Sequence, residues 1–209
     1  GSHPGSNDHA HSRAWTQRSD WGPTTKLPET YDLIVVGAGM LGLTAAAMAR
    51  HRGAAQVIVC DIDPQRLAMA EQFGATHVAL GEDVRSLVDQ MTAGRGVDAV
   101  LEVSGSPDAT ELGLNLLRIG GRMILVGAVF PGRALQVDAE QVVRRLLRIE
   151  GLHNYRPDDL AAALEFLAAT WKRYPFEELV SMTFPLQDAQ AAFEHAVATK
   201  PFRVAVIPG

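Results

Sequence analysis

The sequence predicts an α/β fold in which helices cover both faces of a doubly wound parallel sheet. Three observations support this prediction. Short apolar runs alternate with segments of helical spacing, glycine or proline marks most boundaries between them, and the first apolar run ends in a glycine-rich turn. With 209 residues, 47% of them hydrophobic, the chain can form one large core, or one domain and part of a second.

The first predicted strand and helix are joined by the sequence G-A-G-M-L-G. An apolar run before it predicts a buried strand, and an Ala-rich run after it predicts a helix. Gly37 permits a sharp turn, Gly39 lets backbone N–H groups approach a phosphate, and Gly42 lets the helix pack closely on the strand. Met40 and Leu41 lie where the helix N-terminus faces the anion. The turn therefore predicts a site for the pyrophosphate of a dinucleotide.

A second apolar run, residues 56–60, ends in Asp61. The dinucleotide fingerprint expects an acidic residue about 20 positions beyond the last glycine, where it accepts hydrogen bonds from the adenosine ribose, and Asp61 stands at that distance from Gly42. Asp61 could instead cap the helix that begins at Pro64, but Asp63 directly precedes this proline and fits the cap better. A carboxylate here repels a 2′-phosphate, so the sequence predicts NAD rather than NADP.

The rest of the chain continues the alternation of strands and helices, with proline at several helix starts and glycine at several ends. Four large apolar side chains are expected along one face of the helix over 158–172, namely Leu160, Leu164, Leu167 and Trp171. The elements predicted after Asp61 are helices over 64–74, 84–93, 108–118 and 158–172, and strands over 77–80, 97–103, 122–127, 179–184 and 202–207.

A doubly wound sheet binds its ligand beyond the carboxyl ends of its strands, where the strand order reverses. Ser104 and Gly105 follow one predicted strand, and Val126 and Gly127 end another, so the backbone at both points can approach a ligand. Ordinary turn chemistry is the alternative at both points. Together with the glycine turn, these features predict a Rossmann dinucleotide-binding fold.

Composition excludes several classes of protein. The formal net charge of −5 gives no broad basic surface for nucleic acid, and Arg144, Arg145 and Arg148 are expected on the solvated face of a helix. No apolar run reaches membrane-spanning length and no signal segment is evident, so we expect no membrane partner and a cytoplasmic location. The single cysteine, Cys60, lies in a predicted buried strand, which excludes an intrachain disulfide and predicts a core role.

Residues 1–30 differ from the rest of the sequence. They are rich in Ser, His, Asp, Thr, Pro and Gly and show no apolar periodicity, which predicts a flexible leader. Residues 1–3 resemble the scar of a cleaved purification tag. Trp15 and Trp21 could dock onto an exposed apolar patch elsewhere in the molecule.

The order of these motifs resembles the coenzyme-binding half of the zinc-type alcohol dehydrogenases, the medium-chain dehydrogenase/reductase family. The resemblance extends from about residue 32 to the end of the chain, and residues 151–160 and 175–180 are similar to a bacterial branch associated with phosphonate catabolism. The resemblance is carried by V-V-G-A-G-M-L-G-L at 35–43, V-I-V-C-D at 57–61, R-L-A at 66–68, F-G-A-T at 73–76, G-V-D at 96–98, E-V-S-G at 102–105, G-G-R at 120–122, V-G at 126–127, F-P-L-Q-D-A at 184–189 and A-F-E at 192–194.

The resemblance implies roles for two arginines beside the dinucleotide. Asp61 would hold the adenosine ribose, and Arg66 would make a second contact to the ribose or adenine. Arg203 falls where the family places a cation near the pyrophosphate. An exposed surface charge is the alternative for both arginines, and the anionic ligand favours the binding role.

The resemblance also implies contacts to the nicotinamide carboxamide. Backbone groups at Val126, Leu152 and Asn154 fall where such enzymes offer hydrogen bonds to this group. The complete set of residues expected to bind the coenzyme is Gly37, Gly39, Met40, Leu41, Gly42, Asp61, Ile62, Arg66, Ser104, Val126, Gly127, Leu152, Asn154 and Arg203.

The chain departs from the family pattern before the glycine turn. Family members carry a catalytic domain there, with a Cys, a His and an acidic or second Cys ligand on the active zinc. Here about 30 residues precede the first strand and Cys60 is the one cysteine, so we expect no catalytic residue and no metal ligand, and zinc only in the full-length family member. The expected organisation is a leader over 1–30, an NAD-binding domain over 31–155, and a segment over 156–209 that completes the family's catalytic domain.

The leading functional prediction is the coenzyme-binding portion of an NAD-dependent, alcohol dehydrogenase-like oxidoreductase that transfers hydride between NAD and an alcohol or carbonyl substrate. The chain alone is expected to be inactive. A non-catalytic dinucleotide-binding module, a zinc-free quinone reductase relative and an FAD protein are alternatives, although Asp61 opposes the NADPH that quinone reductases usually prefer. We also expect a homodimer formed through an edge strand near residues 134–138 and the helix that follows it.

Overall fold

The computed structural model describes residues 31–209; residues 1–30, with Trp15 and Trp21, lie outside the described part. No helix of residues 31–209 is long and apolar enough to cross a membrane. In chain order the elements are β1 (Asp32–Val36), α1 (Met40–His51), β2 (Gln56–Asp61), α2 (Pro64–Leu67), β3 (His77–Leu80), α3 (Val84–Thr92), β4 (Val97–Glu102), α4 (Pro107–Leu116), β5 (Leu117–Leu125), α5 (Ala139–Arg144), β6 (Arg148–Gly151), α6 (Pro157–Thr170), β7 (Val180–Pro185), α7 (Ala189–Thr199) and β8 (Arg203–Ile207).

Six of the strands form one parallel sheet in the order β3-β2-β1-β4-β5-β6. β1 pairs with β2 on one side and with β4 on the other, so the strand order reverses between β1 and β4. This arrangement confirms the predicted doubly wound sheet. Its ligand crevice is therefore expected beyond the carboxyl ends of β1 and β4.

Alternation along β1 places the hydrophobic core on both faces of the sheet. Leu33 and Val35 pack into a cluster with α1, whereas Ile34 and Val36 pack into a second cluster with α3 and α4. This follows from the two-residue period of a strand that is covered on both sides. Cys60 belongs to the second cluster and is buried, which confirms its predicted core position.

An aromatic cluster joins α6 to the sheet. The ring of Phe73 lies 6.2 Å from that of Tyr174 and 5.4 Å from that of Phe176, measured between centroids, and Phe166 lies 6.3 Å from Phe176. The Tyr174 hydroxyl donates a hydrogen bond to the backbone oxygen of Ala47 in α1 at 3.3 Å. These contacts pack the segment after β6 against the same core as α1.

The apolar face predicted for α6 is not the face that packs. Phe166 and Thr170, one helical turn apart, are buried, because they face the aromatic cluster and the ring of His51. Helical spacing identified an apolar row but could not show which row meets the core. The predicted face is 39 to 59% exposed at its four positions, Leu160, Leu164, Leu167 and Trp171.

Two predicted helices end earlier than expected. α2 ends at Leu67, and the chain continues to Gly74 through turns such as the hydrogen bond from Ala70 N to Leu67 O, 2.9 Å long. α4 ends at Leu116, because Leu117 is already extended and pairs with Val97 as the start of β5. The strand predicted over 122–127 therefore begins five residues earlier and ends at Leu125.

The edge strand predicted near residues 134–138 does not form. Arg133 instead binds the carboxylates of Asp108 and Glu111, and the backbone N–H of Gln136 donates to Glu111 at 2.7 Å. These contacts hold the segment against α4 and away from the sheet. The outer strand on this side is β6, which pairs with β5 and was not predicted.

The predicted solvated position of Arg145 is also wrong. Its guanidinium donates to the backbone oxygens of Leu114, at 3.4 Å, and Leu117. Cations stabilise the carbonyl end of a helix, so Arg145 serves the last turn of α4. Arg144, in contrast, is exposed and pairs with Glu140 at 2.7 Å.

The two C-terminal strands form a separate small sheet. β7 and β8 pair in parallel and α7 connects them, which gives a β-α-β unit. The strands predicted over 179–184 and 202–207 are confirmed within one residue at each end. The two strands therefore satisfy their backbone pairing with each other and not through the six-stranded sheet.

Candidate functional site

The turn between β1 and α1 requires glycine at two positions. Gly37 has a positive φ of 108°, and its N–H donates to the Cys60 oxygen at 2.8 Å. A Cβ on Gly42 would lie 1.8 Å from the Gly37 oxygen, so no larger residue fits there. A Cβ on Gly39 would meet a guanidinium nitrogen of Arg66 at 3.4 Å and nothing nearer. The protein's own packing therefore demands Gly37 and Gly42, and the open side of Gly39 leaves room for a ligand.

The N-terminus of α1 has no side-chain cap. Gly39 is the capping residue and supplies no side-chain hydrogen bond, and the first turn contains no acidic residue. Met40 and Leu41 occupy this first turn, where Leu41 is half exposed. The positive end of the helix dipole is therefore available to an anion.

Asp61 contacts the glycine turn directly. Its Oδ2 accepts a hydrogen bond from Ala38 N at 2.6 Å, and its Oδ1 accepts one from Asp63 N at 3.0 Å. Asp63, in turn, caps α2 by accepting from Gln65 N at 2.8 Å, as predicted. Because Asp63 fills the capping role, Asp61 is left at the carboxyl end of β2 beside the turn.

Two arginines from distant parts of the sequence flank the glycine turn. Arg66 lies against Gly39, and its guanidinium stacks 5.7 Å from the centroid of the Phe202 ring. Arg203, in β8, places its Nε 2.9 Å from the sulfur of Met40. The small C-terminal sheet thus contributes a cation to the same end of the parallel sheet.

A cavity of about 590 Å³ opens beside the turn. Four predicted site residues, Gly37, Asp61, Ile62 and Ser104, line it. Its volume is in the range of small-molecule sites. Further lining residues, which were not predicted, follow β3 or lie near the start of α4. The rule that a ligand binds beyond the carboxyl ends of the strands, applied to β3 and to the segment after β4, would have indicated them. They are Leu80, Gly81, Glu82, Ser106, Asp108, Ala109 and Leu112.

The turns after β4 and β5 touch each other through backbone atoms. A Cβ on Gly105 would lie 2.5 Å from the Gly127 oxygen, and a Cβ on Gly127 would lie 2.3 Å from Gly105 N. Ser104 N lies 3.1 Å from the corresponding position on Gly37. The turns that follow β1, β4 and β5 therefore form one continuous wall. The buried side chain of Glu102, which sequence reasoning missed, bonds to this wall.

The residues expected near nicotinamide lie farther along the same edge. Val126 N donates to the Glu102 oxygen, and Leu152 N donates to the Leu125 oxygen, each at 2.9 Å. Asn154 follows with a positive φ of 59°. β6 is three strands from β1, about 14 Å away at the usual strand spacing. A ligand that reaches both the glycine turn and these residues must be elongated, as a dinucleotide is.

The described residues do not fit a catalytic metal centre. Residues 31–209 contain no group of three or more His, Cys, Asp or Glu side chains that could hold a metal ion. Burial, together with the negative charge of Asp61, raises the pKa of the Cys60 thiol to about 12, which disfavours the thiolate that zinc requires. His51 packs on Phe166, and His195 lies 5.8 Å from the ring of Phe184.

Sequence comparison supports the resemblance drawn from the motifs. A family model described as "Zinc-binding dehydrogenase" matches residues 41–169. The chain is 32% identical over 165 residues to an L-threonine 3-dehydrogenase of Alteromonas mediterranea, which covers 78% of this chain and 47% of that protein. It is 31% identical over 179 residues to an L-threonine 3-dehydrogenase of Coxiella burnetii, covering 83% of this chain and 50% of that protein. The chain spans about half the length of the curated relatives it matches.

Solved structures share the architecture. An alcohol dehydrogenase from Thermotoga maritima superposes with a TM-score of 0.81 at 27% identity, covering 91% of this chain and 53% of that one. A benzyl alcohol dehydrogenase from Acinetobacter calcoaceticus gives a TM-score of 0.73 at 29% identity, covering 85% of this chain and 49% of that one. With a family model that matches more than half of its length, this chain belongs to the zinc-binding dehydrogenase family.

Proposed function

We propose that the chain is the coenzyme-binding portion of an NAD-dependent oxidoreductase of the alcohol dehydrogenase type. The observation that carries the proposal is the position of Asp61, whose carboxylate is held 2.6 Å from Ala38 N at the glycine turn. A carboxylate at this point can accept hydrogen bonds from both hydroxyls of an adenosine ribose. The names of the relatives, which are threonine and alcohol dehydrogenases, support the reaction class.

The residues of this chain would bind and orient the coenzyme. The N-terminus of α1 would hold the pyrophosphate, and Arg66 and Arg203 would neutralise its charge. Backbone groups at Val126, Leu152 and Asn154 would fix the carboxamide and thereby the face of the nicotinamide ring. When bound, the coenzyme supplies a ring carbon that accepts or donates hydride. Orientation of that ring is the contribution to rate that these residues can make.

Parallel titration with NAD, NADP and FAD tests the coenzyme assignment. We expect NAD to bind more tightly than NADP, because Asp61 would face the 2′-phosphate with like charge, and we expect no FAD binding. Isothermal titration calorimetry of the 209-residue chain measures all three affinities. NADP binding equal to or tighter than NAD binding would contradict the role given to Asp61.

We further propose that the chain alone binds NAD without oxidising alcohols. A hydroxyl must lose its proton as hydride leaves, and in zinc enzymes a Lewis-acid metal assists this loss. The one cysteine and the scattered histidines of residues 31–209 support the proposal, because they do not form a ligand set. Elemental analysis should find no stoichiometric zinc, and no NADH should form with simple alcohols. One zinc per chain, or ordinary turnover, would contradict the proposal.

The chain is also proposed to form a homodimer through β6. This strand lies at one of the two edges of the sheet, and its four residues are exposed. An open edge offers unpaired N–H and C=O groups to a second copy. Sedimentation velocity at micromolar concentration should show a dimer. A monomer, or a dimer unaffected by Ile149→Pro, would contradict pairing through this strand.

A further inference from the structure

Glu102 is a buried carboxylate with an unusual set of partners. It is 0% exposed and ends β4, with Val36 of β1 and Leu125 of β5 as its neighbours in the sheet. Its Oε1 accepts three hydrogen bonds, from Ser104 N at 2.7 Å, Ser104 Oγ at 2.5 Å and Gly105 N at 2.8 Å. Its Oε2 is buried and has no hydrogen-bond partner among the described residues.

Burial of a carboxyl group at this position carries a cost in desolvation free energy. No lysine or arginine of residues 31–209 forms an ion pair with Glu102, whereas buried carboxylates are usually paired with cations. An apolar residue of similar volume would stabilise the sheet without the desolvation cost. The contribution of Glu102 is therefore the backbone conformation that its hydrogen bonds impose on the turn at Ser104 and Gly105.

This turn forms part of the wall of the ligand crevice. Through Oε1, Glu102 bends the chain at Ser104 and Gly105 back toward β4. Through its backbone oxygen it also accepts from Val126 N at 2.9 Å and from Gly127 N at 3.0 Å. One residue thus holds both turns that meet beside Gly37, and the turn at Ser104 lines the cavity next to Asp61.

We propose that Glu102 is a positioning residue for coenzyme binding and that its single acceptor oxygen, not its charge, performs this role. The proposal rests on the coenzyme site proposed above. Since Oε2 meets no donor, the turn uses only one oxygen of the carboxyl group. Glutamine keeps that oxygen and should preserve the wall. Methionine has a similar length and no such acceptor, so it should release the turn into solvent, where Ser104 is already exposed.

The test compares Glu102→Gln and Glu102→Met with Asp98→Asn, a control at the other end of β4. NAD affinity is measured by calorimetry, and thermal stability is measured on the same samples. We expect Glu102→Gln to bind NAD within about twofold of the unmutated chain and Glu102→Met to bind about tenfold more weakly with little change in melting temperature. Asp98→Asn should lower the melting temperature and leave NAD affinity unchanged.

Two results of the binding measurements would overturn the proposal. Weak NAD binding by a folded Glu102→Gln variant would show that the charge is required, and unchanged binding by Glu102→Met would show that the turn does not depend on the acceptor. Should Glu102→Met fail to fold, amide exchange at Ser104 and Gly105 of the unmutated chain decides the question. Slow exchange is expected, and fast exchange contradicts the role. An unmutated chain that binds no NAD would refute the proposed function, while amide exchange would still test the turn.

Discussion

The two ends of β4 each carry a buried acidic residue, and the two residues are held in opposite ways. Asp98, 7% exposed at the amino end, is bound by Arg118 Nε at 2.5 Å, by Arg95 Nη1 at 3.3 Å and by Asp32 N at 2.9 Å. Glu102, at the carboxyl end, is bound only by neutral donors and keeps one oxygen unpartnered. The charges at the amino end are thus neutralised by partners within the chain.

The carboxyl end, in contrast, presents its polar groups outward. The N-terminus of α1 has no side-chain cap, and Arg66 and Arg203 flank it. At the amino end two arginines neutralise the carboxylate of Asp98, whereas at the carboxyl end the N-terminus of α1 has no side-chain cap and stays available to a ligand. Variants at the amino end should therefore change stability, and variants at the carboxyl end should change coenzyme affinity.

Gly42→Ala should give the largest effect. Its Cβ would lie 1.8 Å from the Gly37 oxygen, so the turn must open, and NAD affinity should fall by at least about a hundredfold. Gly53→Ala, just beyond the other end of α1, is the control: Gly53 has a positive φ of 89° but open space around it. This variant should lower the melting temperature alone. Calorimetry measures NAD affinity in both variants. An equal loss in the two would contradict the assignment of coenzyme binding to the glycine turn.

Asp61→Ala should narrow the preference for NAD over NADP by about 1 to 3 kcal/mol, the range for a charge-assisted hydrogen bond. The carboxylate would accept from the 2′-hydroxyl of NAD and repel the 2′-phosphate of NADP. Asp83→Ala is the charge-matched control, because Asp83 is exposed before α3 and makes no side-chain cap hydrogen bond. Competition titrations measure the ratio of the two affinities. If Asp61→Ala leaves this ratio unchanged, Asp61 does not contact the ribose.

Asp98→Ala should lower the free energy of unfolding by roughly 1 to 2 kcal/mol and leave NAD affinity unchanged. The loss is smaller than for a fully buried pair, because the side chains of Arg95 and Arg118 are 46% and 30% exposed. Urea denaturation measures the stability. A variant of normal stability and weakened NAD binding would reverse the roles assigned to the two ends.

The smallest expected effect is a pH dependence. Burial raises the pKa of Asp98, but hydrogen bonds from Asp32 N, Arg118 and Arg95 outweigh it and hold the pKa below its ordinary value. A lowered pKa stabilises the fold above the ordinary value of about 4 and loses this contribution as the pH falls through the folded-state pKa. Below about pH 4, the unmutated chain should lose stability more steeply than Asp98→Asn. Parallel slopes in urea denaturation would contradict the assignment.

Local signals in the sequence predicted the sheet and the glycine turn. The alternation of β1, the cap at Asp63 and the distance from Gly42 to Asp61 depend on residues close in sequence or on one fingerprint. The structure bears out the strands and the cap, and the ribose contact of Asp61 stays a prediction. Glu102 also left a local signal, because its donors lie two and three residues away in E-V-S-G. That its second oxygen has no donor depends on the whole surrounding core.

Contacts between distant residues could not be predicted in this way. Arg145 binds backbone oxygens 28 and 31 residues earlier, and Arg203 reaches Met40 across 163 residues. The orientation of α6 depends on an aromatic cluster drawn from three segments, so periodicity selected the wrong face. Segment 134–138 does not form the predicted strand, because Arg133 pairs with two carboxylates of α4 and holds the segment against that helix. In each case the tertiary partner decided the outcome.

Hydrogen–deuterium exchange of the 209-residue chain, with and without NAD, tests most directly whether the carboxyl end of the sheet is the coenzyme site. We expect NAD to slow exchange in the segments 37–43, 61–66, 104–106 and 126–128 and to leave exchange in the amino-end segments 94–98 and 116–120 unchanged. Protection centred on the amino end, or no protection at the glycine turn at saturating NAD, would contradict this expectation.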